Sequence, residues 1–192
     1  MRKIMLAFVR CDSDILESSW LNRAASWVAR RKDDDTPPYI HAELLFVSDD
    51  VRETGTADVT SEACSIVYGA GVHLERKRFS RKQWVFRSLA CTEESFYKMY
   101  EFCRSQQGAP FNYLGYFTSW ISPIKFDSKF YKTFKMKPRY FCSQIVTSAL
   151  KEGDLLENSV NESIHPNDLF HLVKDYTIAD CGRNISNVSL QL

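Results

Sequence analysis

The chain has 192 residues, 44% of them apolar and 14% aromatic, so it can bury a core without help from cross-links. Lys plus Arg number 25 and Asp plus Glu 24, a balance that removes any electrostatic case for nucleic acid as the main partner. No apolar run approaches the roughly 20 residues of a membrane-spanning helix.

Residues 4–9 (Ile4-Met5-Leu6-Ala7-Phe8-Val9) are too few for the core of an export signal and are expected as a buried first strand. Six widely spread cysteines without such a signal imply free thiols, a reducing compartment and a cytoplasmic location. The sequons at Asn161, Asn184 and Asn187 are then chance matches. Asp12-Ser13-Asp14 offers helix caps, and Ile15, Leu16, Trp20, Leu21, Ala24, Trp27 and Val28 follow at helical spacing. Pro37-Pro38 breaks that helix. Residues 39–47 read as a strand, 48–62 as a polar loop, and 64–68 as a second strand closed by Gly69-Ala70-Gly71. Residues 72–75 and 84–89 read as further short strands of antiparallel type.

Thr92 is placed to cap a helix whose apolar face is Phe96, Met99, Tyr100 and Cys103, and Gly108-Ala109-Pro110 stops it. Residues 111–137 are rich in aromatics and are expected as short helical pieces with a long loop. Residues 142–151 form a helix with Gly153 at the position of a C-terminal cap, and residues 166–173 a short one. Strands clustered first and helices after them make an α+β domain. A single domain is expected over 1–192, its core over about 4–175 and a polar tail over about 176–192.

The segment Tyr140-Phe141-Cys142-Ser143-Gln144 puts a cysteine at a helix start. Free N–H groups and the positive end of the helix dipole favour a thiolate there, and the Cys142 N–H can receive an oxyanion. His41, in Tyr39-Ile40-His41-Ala42-Glu43-Leu44, is the candidate base, since neutral imidazole accepts a proton near pH 7. Taken singly, Cys142 reads equally as a buried packing residue and His41 as a satisfied structural histidine.

In their shared order these segments resemble the circularly permuted branch of the NlpC-type papain-like superfamily. That branch includes YiiX-like hydrolases, relatives encoded by poxviruses and other large DNA viruses, and the lecithin retinol acyltransferase group. Similar pieces are Asp14-Ile15 with Ser19-Trp20-Leu21-Asn22-Arg23, the His41 strand, and Gly71-Val72 with Phe79 and Trp84-Val85-Phe86-Arg87. Gly108-Ala109-Pro110-Phe111-Asn112-Tyr113, Phe141-Cys142-Ser143-Gln144-Ile145-Val146 and Pro166-Asn167-Asp168-Leu169 complete the set. The resemblance spans roughly residues 5–170. It implies a permuted papain-like fold, with an antiparallel sheet packed on the nucleophile helix. It also implies a hydrolase, such as a thiol (cysteine) protease, or an acyltransferase. The substrate would carry a peptide, isopeptide, thioester or lipid ester bond, in a viral or intracellular setting, and no cofactor is required.

The family usually supplies a third polar residue, often Glu or His, from the strand after the histidine. This chain has neither in residues 64–68. Ser65 is the first candidate, with Tyr68 as a rival. Glu43 is another, because residues i and i+2 of a strand share a face. The third residue would hold the imidazole in its tautomer and orientation.

A zinc site is excluded by spacing, since no Cys-x-x-Cys pair exists and His73, His165 and His171 do not cluster with cysteines. His165 and His171 read as surface residues. Arg76-Lys77-Arg78 with Arg81-Lys82 reads as a solvated basic loop, with an acidic partner or a membrane surface as the sharper alternative. Two other classes stay open. One is a degenerate binding protein on the same fold. The other is a structural interaction protein using the aromatic segment around Trp120 and Phe126.

Overall fold

The structure, a computed structural model, describes residues 1–11, 13, 38–47, 58–66, 69–118 and 128–173. The helix expected over 15–28, Tyr68, Trp120, Phe126, Cys181 and the tail lie outside these residues.

Alternation of side chains across each strand organises the fold. Five antiparallel strands form one sheet: β1 (Arg2–Arg10), β2 (Tyr39–Phe46), β3 (Val59–Ser65), β4 (His73–Phe79) and β5 (Trp84–Cys91), in the order β4-β3-β2-β1-β5. Residues 4–9 of β1 are all buried because β1 is covered on both faces. Ile4, Leu6 and Phe8 join the larger core under the helices, with Ala42, Leu44 and Phe46 of β2. Met5 and Ala7 join a smaller cluster on the other face, with Leu45, Val59, Ala63 and Phe79, closed over by Trp84 and Phe86.

Helices α1 (Glu93–Ser105) and α4 (Cys142–Glu152) cover the first face. Thr92 caps α1 by accepting from the Ser95 N–H at 3.0 Å, and Met99 and Cys103 are its buried residues. α4 is buried from Cys142 to Leu150. The aromatic stretch contributes α2 (Tyr113–Thr118) and α3 (Ser128–Thr133), and α5 (Pro166–Leu172) closes the described chain. The architecture is therefore α+β. Among the described residues no helix is long and apolar enough to cross a membrane.

Two details differ from expectation. β3 lies earlier than residues 64–68, because Val59, Ser61 and Ala63 are the inward side chains of a strand whose other side is partly exposed. The polarity of Thr60 and Glu62 masks that alternation in the sequence. The basic residues Arg76, Lys77 and Arg78 belong to β4 rather than to a loop. At the end of α4, Gly153 is the C-cap, as expected, with an ordinary φ of −82°, and the left-handed residue is Asp154 at 59°. Gly153 is small for another reason. A Cβ there would lie 2.5 Å from Met99 Cγ and 3.1 Å from the Ser95 carbonyl oxygen of α1.

Two features position the end of the sheet where β2 begins. The β1–β2 register shifts between Val9, opposite His41, and Arg10, opposite Tyr39. Ile40 is thus an extra residue, a β-bulge, and bulges re-aim neighbouring side chains. Tyr39 turns to the helix side, 5.7 Å from the Phe8 ring and 4.0 Å from the Phe170 ring. The second feature is a pair of clasps on the chain before α4. The Val72 N–H donates to the Ala109 carbonyl at 2.9 Å, and the Gly108 N–H donates to the Val72 carbonyl at 2.8 Å. The Asn112 N–H bonds the Tyr140 carbonyl at 2.7 Å, and the Tyr140 N–H bonds the Pro110 carbonyl at 3.2 Å. Gly71 permits this approach, since a Cβ there would be 3.1 Å from the Gly108 backbone.

Candidate active site

Cys142 is the first residue of α4 and is 4% exposed. Phe141 precedes it as N-cap in extended backbone and makes no side-chain cap bond, and no acidic residue stands in the first turn. The N–H groups of a first helical turn have no acceptor within the helix. The positive dipole end of this helix start favours a negative charge beside it. The Cys142 thiol lies 4.0 Å from the carbonyl of Ile40, the bulged residue, a long and weak contact.

His41 lies one residue beyond the bulge, close enough to Cys142 for the thiol to act on its charge. Its Nε2 is 3.1 Å from Glu43 Oε1, and the edge of Trp84 flanks the ring with centroids 6.0 Å apart. Burial works against charge on the imidazole. The charge and hydrogen bond of Cys142, followed by those of Glu43, outweigh it, and the His41 pKa is pushed up to about 10. Burial likewise works against an ionised Glu43. The hydrogen bond and charge of His41, and then those of Lys77, overcome it and pull the carboxyl down to about 2.

Lys77 approaches Glu43 from β4, with Nζ 3.1 and 3.0 Å from the two carboxylate oxygens. The Glu43 side chain is 3% exposed, so the carboxylate is enclosed by two cations rather than by water. Lys77 also lies 3.5 Å from Glu75, which in turn is 3.4 Å from Nε2 of His73.

No family model matches the chain, and neither a curated protein nor a solved structure matches it. The site must be read from its own geometry.

The structure brings Cys142, His41 and Glu43 together. It does not bring Ser65 to the imidazole: the Ser65 side chain is fully buried, and its hydroxyl has no hydrogen-bond partner among the described residues. Tyr68 lies outside the described residues. Of the candidates Ser65, Tyr68 and Glu43, it is Glu43 that lies against the imidazole. The i, i+2 geometry of a strand carries it there on His41's own element. His165 is half-buried rather than a surface residue. Its Nδ1 accepts from the Asn167 N–H at 3.2 Å at the start of α5, while His171 is exposed. Asn167 Oδ1 accepts from the Tyr39 N–H at 3.2 Å, which docks α5 on the β2 end of the site.

Sequence reasoning missed two participants. Lys77 was hidden in a basic run, although His73, Glu75, Lys77 and Phe79 alternate along one strand face. Asn112 is wholly buried beside α4. Its Nδ2 donates to Gln144 Oε1 at 3.0 Å, and its Oδ1 accepts from the Gly115 N–H at 2.9 Å and the Tyr131 hydroxyl at 2.7 Å. From α2, Tyr116 is near enough that burial and the charge of Cys142 push its hydroxyl pKa well up. Among the described residues no three His, Cys, Asp or Glu side chains converge as a metal-binding group.

Proposed function

We propose that this chain is a cysteine-nucleophile enzyme of acyl transfer, a hydrolase or acyltransferase, on a circularly permuted papain-like fold. The observation that carries this reading is His41, bonded to the buried Glu43 carboxylate and near enough to Cys142 for the thiol to raise its pKa, beside a helix start whose N-cap side chain makes no cap bond. A structural histidine needs neither a thiol partner nor a helix dipole beyond it. The order of the elements, with the histidine strand before the nucleophile helix, supports the permuted reading.

The reaction runs in two halves. His41 takes the Cys142 proton, and the thiolate attacks the carbonyl carbon of an amide, thioester or ester. The carbonyl oxygen becomes an oxyanion and accepts from the Cys142 N–H and its neighbours in the first turn of α4. Collapse breaks the bond to the leaving group, and His41 passes it the proton. The acyl group now sits on Sγ as a thioester. Water or an acceptor, deprotonated by His41, attacks that thioester and releases the thiol. Glu43 keeps the imidazole aimed through both halves and stabilises it each time it carries the proton. A peptide, an isopeptide or an acylated lipid each presents the required carbonyl.

The test is the rate of Cys142 alkylation by iodoacetamide against pH, in wild type and H41A. Wild type is expected to react rapidly at about pH 6, where an unperturbed thiol is almost wholly protonated. H41A is expected to lose that reactivity. An inert or ordinary thiol in both proteins overturns the catalytic reading and leaves a binding role for the fold.

A further inference from the structure

Among Cys142, His41, Glu43 and Lys77, an ionised thiol and a protonated imidazole leave a net charge of zero. Without Lys77 the same state carries an uncompensated negative charge on side chains that are almost fully buried, Cys142 at 4% and Glu43 at 2% exposure. Buried charge of that kind is costly, and the site would relieve it by taking up a proton.

Lys77 reaches this position across an intervening strand. In the order β4-β3-β2, β3 separates it from Glu43. The β3 side chains on the shared face between the levels of Lys77 and Glu43 are Ser61, Ala63 and Ser65, all small, and the ammonium reaches the carboxylate over them. Lys77 itself is 23% exposed, with its charge turned inward to both Glu43 oxygens. A solvated basic residue would have no reason to meet a buried carboxylate at 3.0 Å.

We propose that Lys77 is the positioning residue of the Cys142–His41 site: from two strands away its ammonium holds Glu43 against His41 and balances the ionised thiol. This rests on the acyl-transfer reading above. Among the described residues, the charged and titratable groups around it are few. Glu43 is faced by His41 from its own strand and by Lys77 from β4, and His41 by Cys142 from α4. Lys77 is also faced by Glu75, the neighbour of His73, and Cys142 by Tyr116 of α2.

The experiment is iodoacetamide alkylation of Cys142 from about pH 4 to pH 9, read by mass spectrometry on the full chain. Wild type, K77M, K77R, E43Q and E43Q/K77M are compared, with folding checked by circular dichroism. K77M keeps the stem and removes the charge. Its acid limb is expected to move up by about 0.5–1 pH unit, a ~3- to 10-fold slower reaction at fixed pH on that limb. K77R is expected to keep the wild-type profile. In the E43Q background, where no buried carboxylate holds the ammonium, K77M is expected to add less than about 2-fold. If K77M fails to fold, K77Q is read in its place, with the same upward shift expected. A K77M profile equal to wild type overturns the proposal, as does an equal shift with and without Glu43, which would make Lys77 an independent distant charge. If wild type itself shows no His41-dependent reactivity, the acyl-transfer reading and this proposal both fall.

Discussion

Glu43 Oε1 lies 3.1 Å from Nε2 of His41, two residues earlier on the same strand, and with Glu43 ionised that nitrogen is the donor. The bond fixes which face of the imidazole remains for Cys142. It also predicts a hierarchy among variants. By NMR, His41 is expected to stay protonated past pH 8 in wild type, consistent with a pKa pushed up to about 10. C142A removes the largest favourable influence and should return His41 towards its ordinary range, where burial alone would lower it. E43Q should lower it by less and slow Cys142 alkylation at neutral pH by about 10- to 100-fold, a loss of ~1.4–2.7 kcal/mol. S65A should leave both readouts unchanged.

Stability against pH follows from the same pair. The Glu43 carboxyl is depressed from 4.5 to about 2 in the folded protein. Its contribution is therefore complete above about pH 4.5 and is lost as pH falls towards 2. The size is on the order of 3 kcal/mol. His41 acts in the opposite sense. Its folded pKa is raised, so its contribution is complete below about 6.5 and lost as pH rises through about 10. Urea unfolding is expected to show wild type weakening across both windows. E43Q should be flatter in the acid window and C142A flatter in the alkaline one.

Gly153, at the end of α4, packs closely against Met99 and the Ser95 backbone of α1. G153A would place its methyl 2.5 Å from Met99 Cγ and 3.1 Å from the Ser95 carbonyl. The methionine can move, but the backbone oxygen cannot. The expected cost is ~1–3 kcal/mol in denaturant unfolding. G153A/M99A should recover little of it, because the carbonyl contact remains.

Asn112 ties α2, α3 and α4 together through one amide. N112A would leave the Gln144 carbonyl and the Tyr131 hydroxyl without that partner in a buried place. The expected loss is about 2–4 kcal/mol of stability. Alkylation of Cys142 should also become slower as the turn before it loosens. N112D should be nearly as costly, since Oδ1 is kept but the donor to Gln144 is gone.

Local pattern was enough for most elements. The strands containing Ile4 to Val9, His41 and Trp84, and the helices capped by Thr92 and started by Cys142, follow from periodicity and caps that act over a few residues. The errors came where polarity and register disagreed. Thr60 and Glu62 look like loop residues until Val59, Ser61 and Ala63 are seen facing inward. Lys77 looks like solvent-facing charge until its alternation with Phe79 is placed on a sheet.

Residue type and spacing alone determined that Cys142 opens a helix, that His41 lies on a strand, and that Glu43 shares a face with it. These are short-range properties of the backbone. Only the tertiary structure decided what meets His41. The bulge at Ile40, which sets the end of β2 against α4, arises from pairing with β1, about thirty residues away in sequence. The choice of Glu43 over Ser65, and the arrival of Lys77 from β4, depend on strand order and on the small side chains of β3 between them. Register and strand order are set by contacts distant in sequence, and a carboxylate becomes part of a site only when burial removes the water that would otherwise screen it.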